Sequence, residues 1–364
     1  MMPPVAPVRI GIVGAGGVGG WVGGHLARAG VDVTLIDPWP DHVAAIRAGG
    51  IVLTDPGKEY RVPVKALHVG EAQSLHATPL DLAFVCMKLY DTDWATALIA
   101  PCLAPSGFVV TLQNGLIEER VAALVGWGRT VGCIAGGLYV GLAGPGHVVR
   151  ARRPAQGSHK VFRVGEAHGR ITPRVLSVAE MLRHVDGTEV TSNLWGARWS
   201  KLAANAMMSG LCAVSGLRLR QLYLDPVGQR IMVQLGGEAV TAGLALGFAV
   251  EDILGLAAGR WVAAAAGNPA SLAEARAALE GQTVDMGENA LSGMAQDLAK
   301  GRRTEIEYMN GYIVAKAGEA GTQTPTHAAI ASLIRKMERG EARPGRKVMD
   351  DLLGLAERKG IGAQ

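Results

Sequence analysis

Three glycines and one aspartate carry the first recognisable chemistry in this chain. Gly14, Gly16 and Gly19 stand in a Gly-x-Gly-x-x-Gly spacing, written in full Gly14-Ala15-Gly16-Gly17-Val18-Gly19, and Asp37 follows at about the roughly 20-residue distance such fingerprints use. Gly14 would permit a tight turn, Gly16 would let the backbone approach a pyrophosphate, and Gly19 would let a helix pack close to a strand. The helix N-terminus beyond them would offer unpaired N–H groups and a partial positive charge to phosphates. Asp37 could accept hydrogen bonds from both ribose hydroxyls of an adenosine. The same carboxylate would repel a 2′-phosphate by on the order of 4 kcal/mol per charge pair at about 4 Å. Pro38, Trp39, Pro40 and Asp41 follow with no cation to compensate. The expectation is a bound dinucleotide, NAD favoured over NADP, with FAD a lesser alternative because flavoproteins share the fingerprint.

In a chain with 50 glycines the spacing alone proves little. Context decides. Residues 10–13 are an apolar, β-branched run that reads as a strand buried on both faces, and residues 21–29 read as a helix. Gly30 would stop that helix, and residues 31–36 form a second strand that delivers Asp37. A structural glycine turn in an unrelated α/β domain would leave Asp37 unexplained.

Further on, Lys201, Asn205 and Ser209 recur at i, i+4 and i+8 in an otherwise apolar helix, so they share one face. Such a polar stripe needs hydrogen-bond partners, or it is a site. Lys88 and Asn114 each fall just past a predicted strand end, where ligands bind in open α/β sheets. The plainer readings are a solvated loop lysine and a turn residue before Gly115.

The elements that must position these residues alternate. Residues 42–48 read as a helix with Asp41 its N-cap, and 51–54 and 60–67 as a strand pair around Asp55-Pro56-Gly57. Strands at 82–85, 108–112 and 131–134 alternate with helices at 91–100 and 117–125. Residues 138–164 suggest a hairpin finishing the sheet, with Arg150, Arg152 and Arg153 on a solvated face. A helix at 172–184 and a strand at 188–191 complete an α/β Rossmann domain, a doubly wound and mostly parallel sheet, over residues 1–191. An all-α domain is expected over 192–340, including helices at 227–246, 251–266, 271–279, 284–299, 304–319 and 326–338. Residues 341–364 read as a charged tail containing one amphipathic helix, 347–358.

With 36 basic and 32 acidic residues the net charge is only +4, and no basic cluster is interleaved with aromatics, so nucleic acid is not the expected partner. Cys86, Cys102, Cys133 and Cys212 lack Cys-x-x-Cys spacing and the nine histidines form no ligand-spaced pair, so neither a disulfide framework nor a metal site is expected. The first seven residues lack signal-peptide features, and no apolar run reaches about 18 residues. The expected setting is the cytoplasm, with a small-molecule substrate, no membrane, and a homodimer as a possible assembly.

The strip Trp199-Ser200-Lys201-Leu202-Ala203-Ala204-Asn205 resembles the Trp-x-Lys-x-x-x-Asn helix of the ketopantoate reductase (2-dehydropantoate 2-reductase) family. Gln296-Asp297, the run Arg303-Thr304-Glu305-Ile306-Glu307-Tyr308-Met309-Asn310-Gly311-Tyr312, and the strand ends Met87-Lys88 and Gln113-Asn114-Gly115 resemble it too, so the likeness spans most of residues 8–340. The resemblance implies a Rossmann domain followed by a helical domain, with the site in the cleft between them. It implies that Lys201 is the catalytic lysine, Asn205 a substrate contact, Glu305 a glutamate where substrate and cofactor meet, and Lys88 and Asn114 neighbours of the nicotinamide and its ribose. Hydride arriving at a carbonyl carbon leaves charge on the oxygen, which an ammonium can stabilise and protonate.

The chain departs from the family pattern in places. Ser209 stands where the family has an asparagine, and Leu219 where it has another polar contact. The family's carboxylate-gripping serine aligns with Gly293, beside Ser292, which could take its place. The stretch 255–286 is longer than usual, and Asp37-Pro38 replaces the NADP-selecting basic residue. The expected function is therefore an NAD(H)-dependent oxidoreductase of a 2-oxo/2-hydroxy acid. Alternatives are a catabolic NAD-dependent dehydrogenase of another secondary alcohol and a non-catalytic NAD(H)-binding sensor.

Overall fold

Ile10 and Ile12 point to one side of the strand β1 (Arg9–Val13) and Val13 to the other, and all three are wholly inaccessible to solvent. A strand serves two cores only when both faces of its sheet are covered, which is the condition for parallel strands. The computed structural model describes residues 8–152, 160–284 and 286–360, and it divides into two units, the first ending at Leu194 and the second starting at Trp195.

In the first unit, β1 is followed by α1 (Gly17–Arg28), β2 (Asp32–Asp37), α2 (Pro40–Gly49), β3 (Ile51–Asp55), β4 (Lys58–Val62) and β5 (Lys65–His68). Next come β6 (Leu80–Val85), α3 (Thr92–Ile99), β7 (Leu103–Thr111), α4 (Glu118–Val125) and β8 (Thr130–Ala135). The unit ends with β9 (Tyr139–Gly144), β10 (His147–Arg152), β11 (Phe162–Gly165), α5 (Pro173–Arg183) and β12 (Thr188–Val190). Eight strands form the main sheet in the order β12-β11-β8-β7-β6-β1-β2-β5, parallel throughout except where β11 meets β8. This is the doubly wound, mostly parallel Rossmann arrangement. Leu82, Phe84 and Val110 pack with α1 and α5 on one face, and Ala83, Val85 and Val109 with α3 and α4 on the other.

The expected hairpin over 138–164 does not finish that sheet. β9 and β10 pair instead within a second sheet of order β4-β3-β10-β9, and only β11 joins the main one. The expected strand over 60–67 also divides, β4 going to the small sheet and β5 to the large one. Pro63 lies at the break, where its missing N–H would interrupt a ladder. The small sheet covers the outer side of α1. A Cβ on Gly24 would lie 2.8 Å from Leu53 Cδ1, whereas one on Gly23 would lie 2.5 Å from Leu35 Cδ2 of the main sheet. Glycines on two faces thus let one helix fit between two sheets.

Arg150 is not on a solvated face. It is 5% exposed, pairs with Asp186 and carries its guanidinium 5.7 Å from the Trp21 ring centroid. Arg153 and residues 1–7 lie outside the described residues, as does the side chain of Arg152.

The second unit is helical. It comprises α6 (Leu194–Ser215), α7 (Leu219–Leu224), α8 (Pro226–Ala245), α9 (Ala258–Ala265), α10 (Pro269–Gly281), α11 (Gly293–Ala299), α12 (Asn310–Glu319), α13 (Pro325–Glu338) and α14 (Arg346–Gly360). Trp199 of α6 is fully buried and donates its indole N–H to the Ala239 carbonyl of α8 at 2.8 Å. α14 packs on α8 and α13 through Met349 and Leu352, both buried. Among the described residues no helix is long and apolar enough to cross a membrane.

Three expected helices are shorter than their apolar patterns suggest, among them 304–319, where α12 starts only at Asn310 after a separate 3-10 turn at Ile306–Tyr308. Residues 251–257 form a loop because the Ser200 hydroxyl donates to Glu251 O and accepts from Glu251 N, while Trp261 Nε1 donates to Ile253 O. Leu254 and Gly255 take φ of 54° and 79° there, which ends any helix. Residues 286–292 likewise precede α11 rather than form part of it, with Asn289 O and Ala290 O accepting from Arg218 and from the Leu219 N–H that opens α7.

Candidate active site

The turn after β1 is built for a close approach. Gly14 takes φ +95° and donates its N–H to Ile36 O at 2.8 Å, and a Cβ there would lie 2.7 Å from Met87 Sδ. A Cβ on Gly19 would lie 1.9 Å from Gly14 O, so the helix can lie this near the turn only without a side chain. Ala15 is buried, Val18 half-buried, and Gly17 sits under the backbone of Val140 and Gly141. Beside Gly16 the space is open: an added Cβ would meet nothing within 4 Å. Gly16 is the N-cap of α1, and among the described residues no side chain caps it and no acidic residue lies in the first turn. Main-chain donors, a positive helix end and open room together fit a pyrophosphate.

Asp37, 8% exposed at the end of β2, faces that turn. Its Oδ2 accepts the Ala15 N–H at 2.8 Å and its Oδ1 the Trp39 N–H at 2.9 Å. Asp41 is not the N-cap of α2: Trp39 holds that position, Pro40 opens the helix with its φ preset, and Asp41 lies in the first turn. His42 is fully buried and joins three segments. Its Nδ1 accepts the Gly146 N–H at 2.8 Å, so Nε2 carries the proton donated to Ala15 O at 2.9 Å.

Lys88 and Asn114 leave the neighbouring strands β6 and β7. Gln113 joins their loops, its Nε2 donating to Met87 O at 2.8 Å and Thr92 Oγ1 at 3.0 Å. Asn114 is exposed and precedes Gly115 at φ +74°, while the buried Glu118 accepts from Thr111 Oγ1 and the Ile117 N–H. In the sheet order β7, β6, β1, β2, the loops carrying Asn114, Lys88, the glycine turn and Asp37 therefore emerge side by side at the carboxyl edge.

In the second unit Lys201, Asn205 and Ser209 follow one another along α6, Lys201 half-buried and the other two buried. Burial lowers the Lys201 pKa below the ordinary lysine range. Ser292, the N-cap of α11, accepts from the Ala295 N–H at 3.1 Å and donates to Ser209 O at 2.9 Å. Its hydroxyl thus joins α11 to the backbone of α6.

Glu305 lies half-buried between two anchors. On one side Thr304 donates both its N–H and its hydroxyl to Glu338 Oε1, each at 2.7 Å. On the other, Asn310 Nδ2 donates to Ala206 O of α6 at 3.1 Å and bonds His327 Nδ1 at 3.0 Å. His327 Nε2 in turn meets Leu235 O at 3.0 Å, and burial lowers that imidazole's pKa to about 4.

Three buried polar groups escaped the sequence reading: His42, His327 and Glu238, whose carboxylate accepts from the Thr326 N–H and hydroxyl at the start of α13. Their partners are far off in the chain, so no local spacing marks them. Arg198, 1% exposed one turn before Lys201, is a fourth.

A Rossmann unit with a bare glycine turn, continued by a helical unit bearing a half-buried lysine, fits a dinucleotide-dependent oxidoreductase. Comparison with known proteins narrows the class. Residues 10–161 match the family model described as Ketopantoate reductase PanE/ApbA, and residues 193–338 match Ketopantoate reductase PanE/ApbA C terminal. The chain belongs to the ketopantoate reductase family. It is 29% identical over 337 residues to a 2-dehydropantoate 2-reductase of Halobacterium salinarum, covering 91% of this chain and 99% of that one. A 2-dehydropantoate 2-reductase of Archaeoglobus fulgidus is 27% identical, with 91% and 98% covered. The crystal structure of a PanE/ApbA family ketopantoate reductase from Ralstonia eutropha JMP134 superimposes with a TM-score of 0.73 at 27% identity, covering 92% and 99%.

Proposed function

We propose that this oxidoreductase moves a hydride between a nicotinamide dinucleotide, NAD in preference to NADP, and a 2-oxo/2-hydroxy acid pair, with Lys201 as the proton donor. Ketopantoate is the first substrate to test, because relatives similar along nine-tenths of the chain carry the name 2-dehydropantoate 2-reductase. The dinucleotide, when bound, supplies the hydride. The glycine turn and the N-terminus of α1 would take its pyrophosphate, Asp37 its adenosine ribose, and Lys88 and Asn114 its nicotinamide end.

The observation that carries this reading is the half-buried place of Lys201 at the head of the polar face of an apolar helix, where partial desolvation lowers its pKa. An ammonium disfavoured by its surroundings gives up a proton more readily near neutral pH. As the carbonyl oxygen gains charge, Lys201 Nζ donates to it, and Glu305 orients the ammonium. Asn205 and Ser209, one and two turns along the same face, hold the substrate, and Ser292 acts there with Ser209. All four cysteines are free thiols, which suits the cytoplasmic setting we assign.

One observation favours a second reading. The Ser292 hydroxyl already bonds Ser209 O and the Ala295 N–H, so it could grip a substrate carboxylate only by giving up one of these partners. Oxidation of a bulkier secondary alcohol would suit that arrangement. A panel of 2-oxo acids and secondary alcohols, each offered NADH or NADPH (NAD or NADP for the alcohols), decides between them by reduced-nicotinamide absorbance. The first reading predicts NADH consumption with a 2-oxo acid. Turnover confined to alcohols favours the second, and no turnover with any compound contradicts both.

A further inference from the structure

Trp39 has a placement the reaction itself does not require. It is 39% exposed, although a large aromatic gains most from burial. Its ring lies parallel to His42, centroids 5.6 Å apart and 7° between planes. His42 cannot swing away, since Gly146 N–H and Ala15 O hold its two ring nitrogens. The Trp39 backbone is fixed as well: its N–H donates to Asp37 Oδ1, and prolines flank it at 38 and 40. One face of the indole is thus supported, and the exposed remainder is held two residues beyond Asp37.

We propose that Trp39, seated on His42, is the platform on which the adenine ring of the dinucleotide stacks. The inference rests on the proposed assignment of the adenosine ribose to Asp37. A base beyond that ribose needs an apolar surface, and the only aromatic ring in the run Asp37-Pro38-Trp39-Pro40-Asp41 is this indole. Stacking asks for a flat π-face already in place, which the support of His42 and the two prolines provides. The same placement gives the site a preference for the adenosine half that is separate from the choice of NAD over NADP.

The test separates the two halves of the cofactor. Calorimetric titrations with 5′-AMP, nicotinamide mononucleotide and NADH are run on the full chain and on Trp39→Ala, Trp39→Leu and Trp39→Phe. Loss of a stacked base partner should weaken 5′-AMP about tenfold or more in the alanine and leucine variants. Phenylalanine should restore most of the affinity, since it keeps a π-face, and mononucleotide binding should stay unchanged in all three. Leucine binding 5′-AMP as well as phenylalanine would overturn stacking in favour of simple apolar cover. Equal weakening of 5′-AMP and the mononucleotide would overturn the inference as a general disturbance. Wild-type 5′-AMP affinity in Trp39→Ala, with NADH still bound, would overturn it while leaving the cofactor reading intact. Failure of the unaltered protein to bind NADH would overturn the cofactor reading and this inference together, whereas NADH binding without any 5′-AMP binding would overturn this inference alone.

Discussion

The carboxylate of Asp37 accepts the backbone N–H of Ala15 at 2.8 Å, tying the end of β2 to the glycine turn that follows β1. Its other oxygen holds the Trp39 N–H, yet an ionised carboxylate has about four lone-pair positions, so acceptor capacity remains for ribose hydroxyls. Asp37 therefore shapes the turn and charges it at the same time. NADH should bind at least about tenfold tighter than NADPH, a difference of about 1.4 kcal/mol. Asp37→Ser should narrow that gap, and should weaken NADH as well because the Ala15 N–H loses its acceptor. Fluorescence titration checks this, and equal affinities in the unaltered protein would refute the selectivity argument.

Gly16 and Gly19 should respond in opposite ways. A side chain at Gly19 meets Gly14 O, so Gly19→Ala should destabilise the fold by about 1–3 kcal/mol or more. At Gly16 the space is open, so Gly16→Val should fold normally and fail to bind dinucleotide. Thermal unfolding with and without NADH separates the two. A Gly16→Val protein still stabilised by NADH would remove the proposed pyrophosphate position.

His25 and His327 both have pKa values lowered to about 4, chiefly by burial. On acidification the unfolded chain takes up these protons first, near the ordinary histidine pKa of about 6.5. Stability from these groups is therefore fully present above about pH 6.5, falls between about 6.5 and 4, and levels off below, by roughly 3 kcal/mol per histidine. Burial raises the Glu238 pKa, which acts in the opposite sense as pH climbs past the ordinary glutamate range. Urea unfolding from pH 4 to 7 should show a shallower acid slope in His327→Gln than in the unaltered chain. Identical slopes would mean that His327 does not titrate with folding.

The first βαβ segment was legible because its signals are local. The strand pattern, the glycine turn and Asp37 all fall within residues 10–37, and the structure sets them at adjoining strand ends. The second sheet was not legible, because β3 pairs with β10 and nothing in residues 51–55 names a partner at 147–152. Arg150 misled for the same reason: its partner Asp186 is distant, and a run of arginines reads as solvated. Residues 251–257 looked helical because apolar spacing is blind to Ser200, whose hydroxyl fixes Glu251 in a loop. On α6 the polar stripe was readable from its i, i+4 spacing, whereas the anchoring of the Glu305 segment by Asn310 and Glu338 needed three dimensions.

The central claim is that Lys201 gives up the proton, and the direct measurement is the pH dependence of turnover with the oxo acid the screen identifies. Burial lowers the Lys201 pKa, so in the unaltered enzyme reduction should slow as pH rises through a value below the ordinary lysine range. Lys201→Ala should lose about 10²–10⁴-fold in kcat, the usual worth of a general acid, along with that alkaline limb, while NADH affinity holds. Lys201→Arg should not rescue, because a guanidinium keeps its proton. Near-normal turnover in Lys201→Ala, with the alkaline limb intact, would contradict the account.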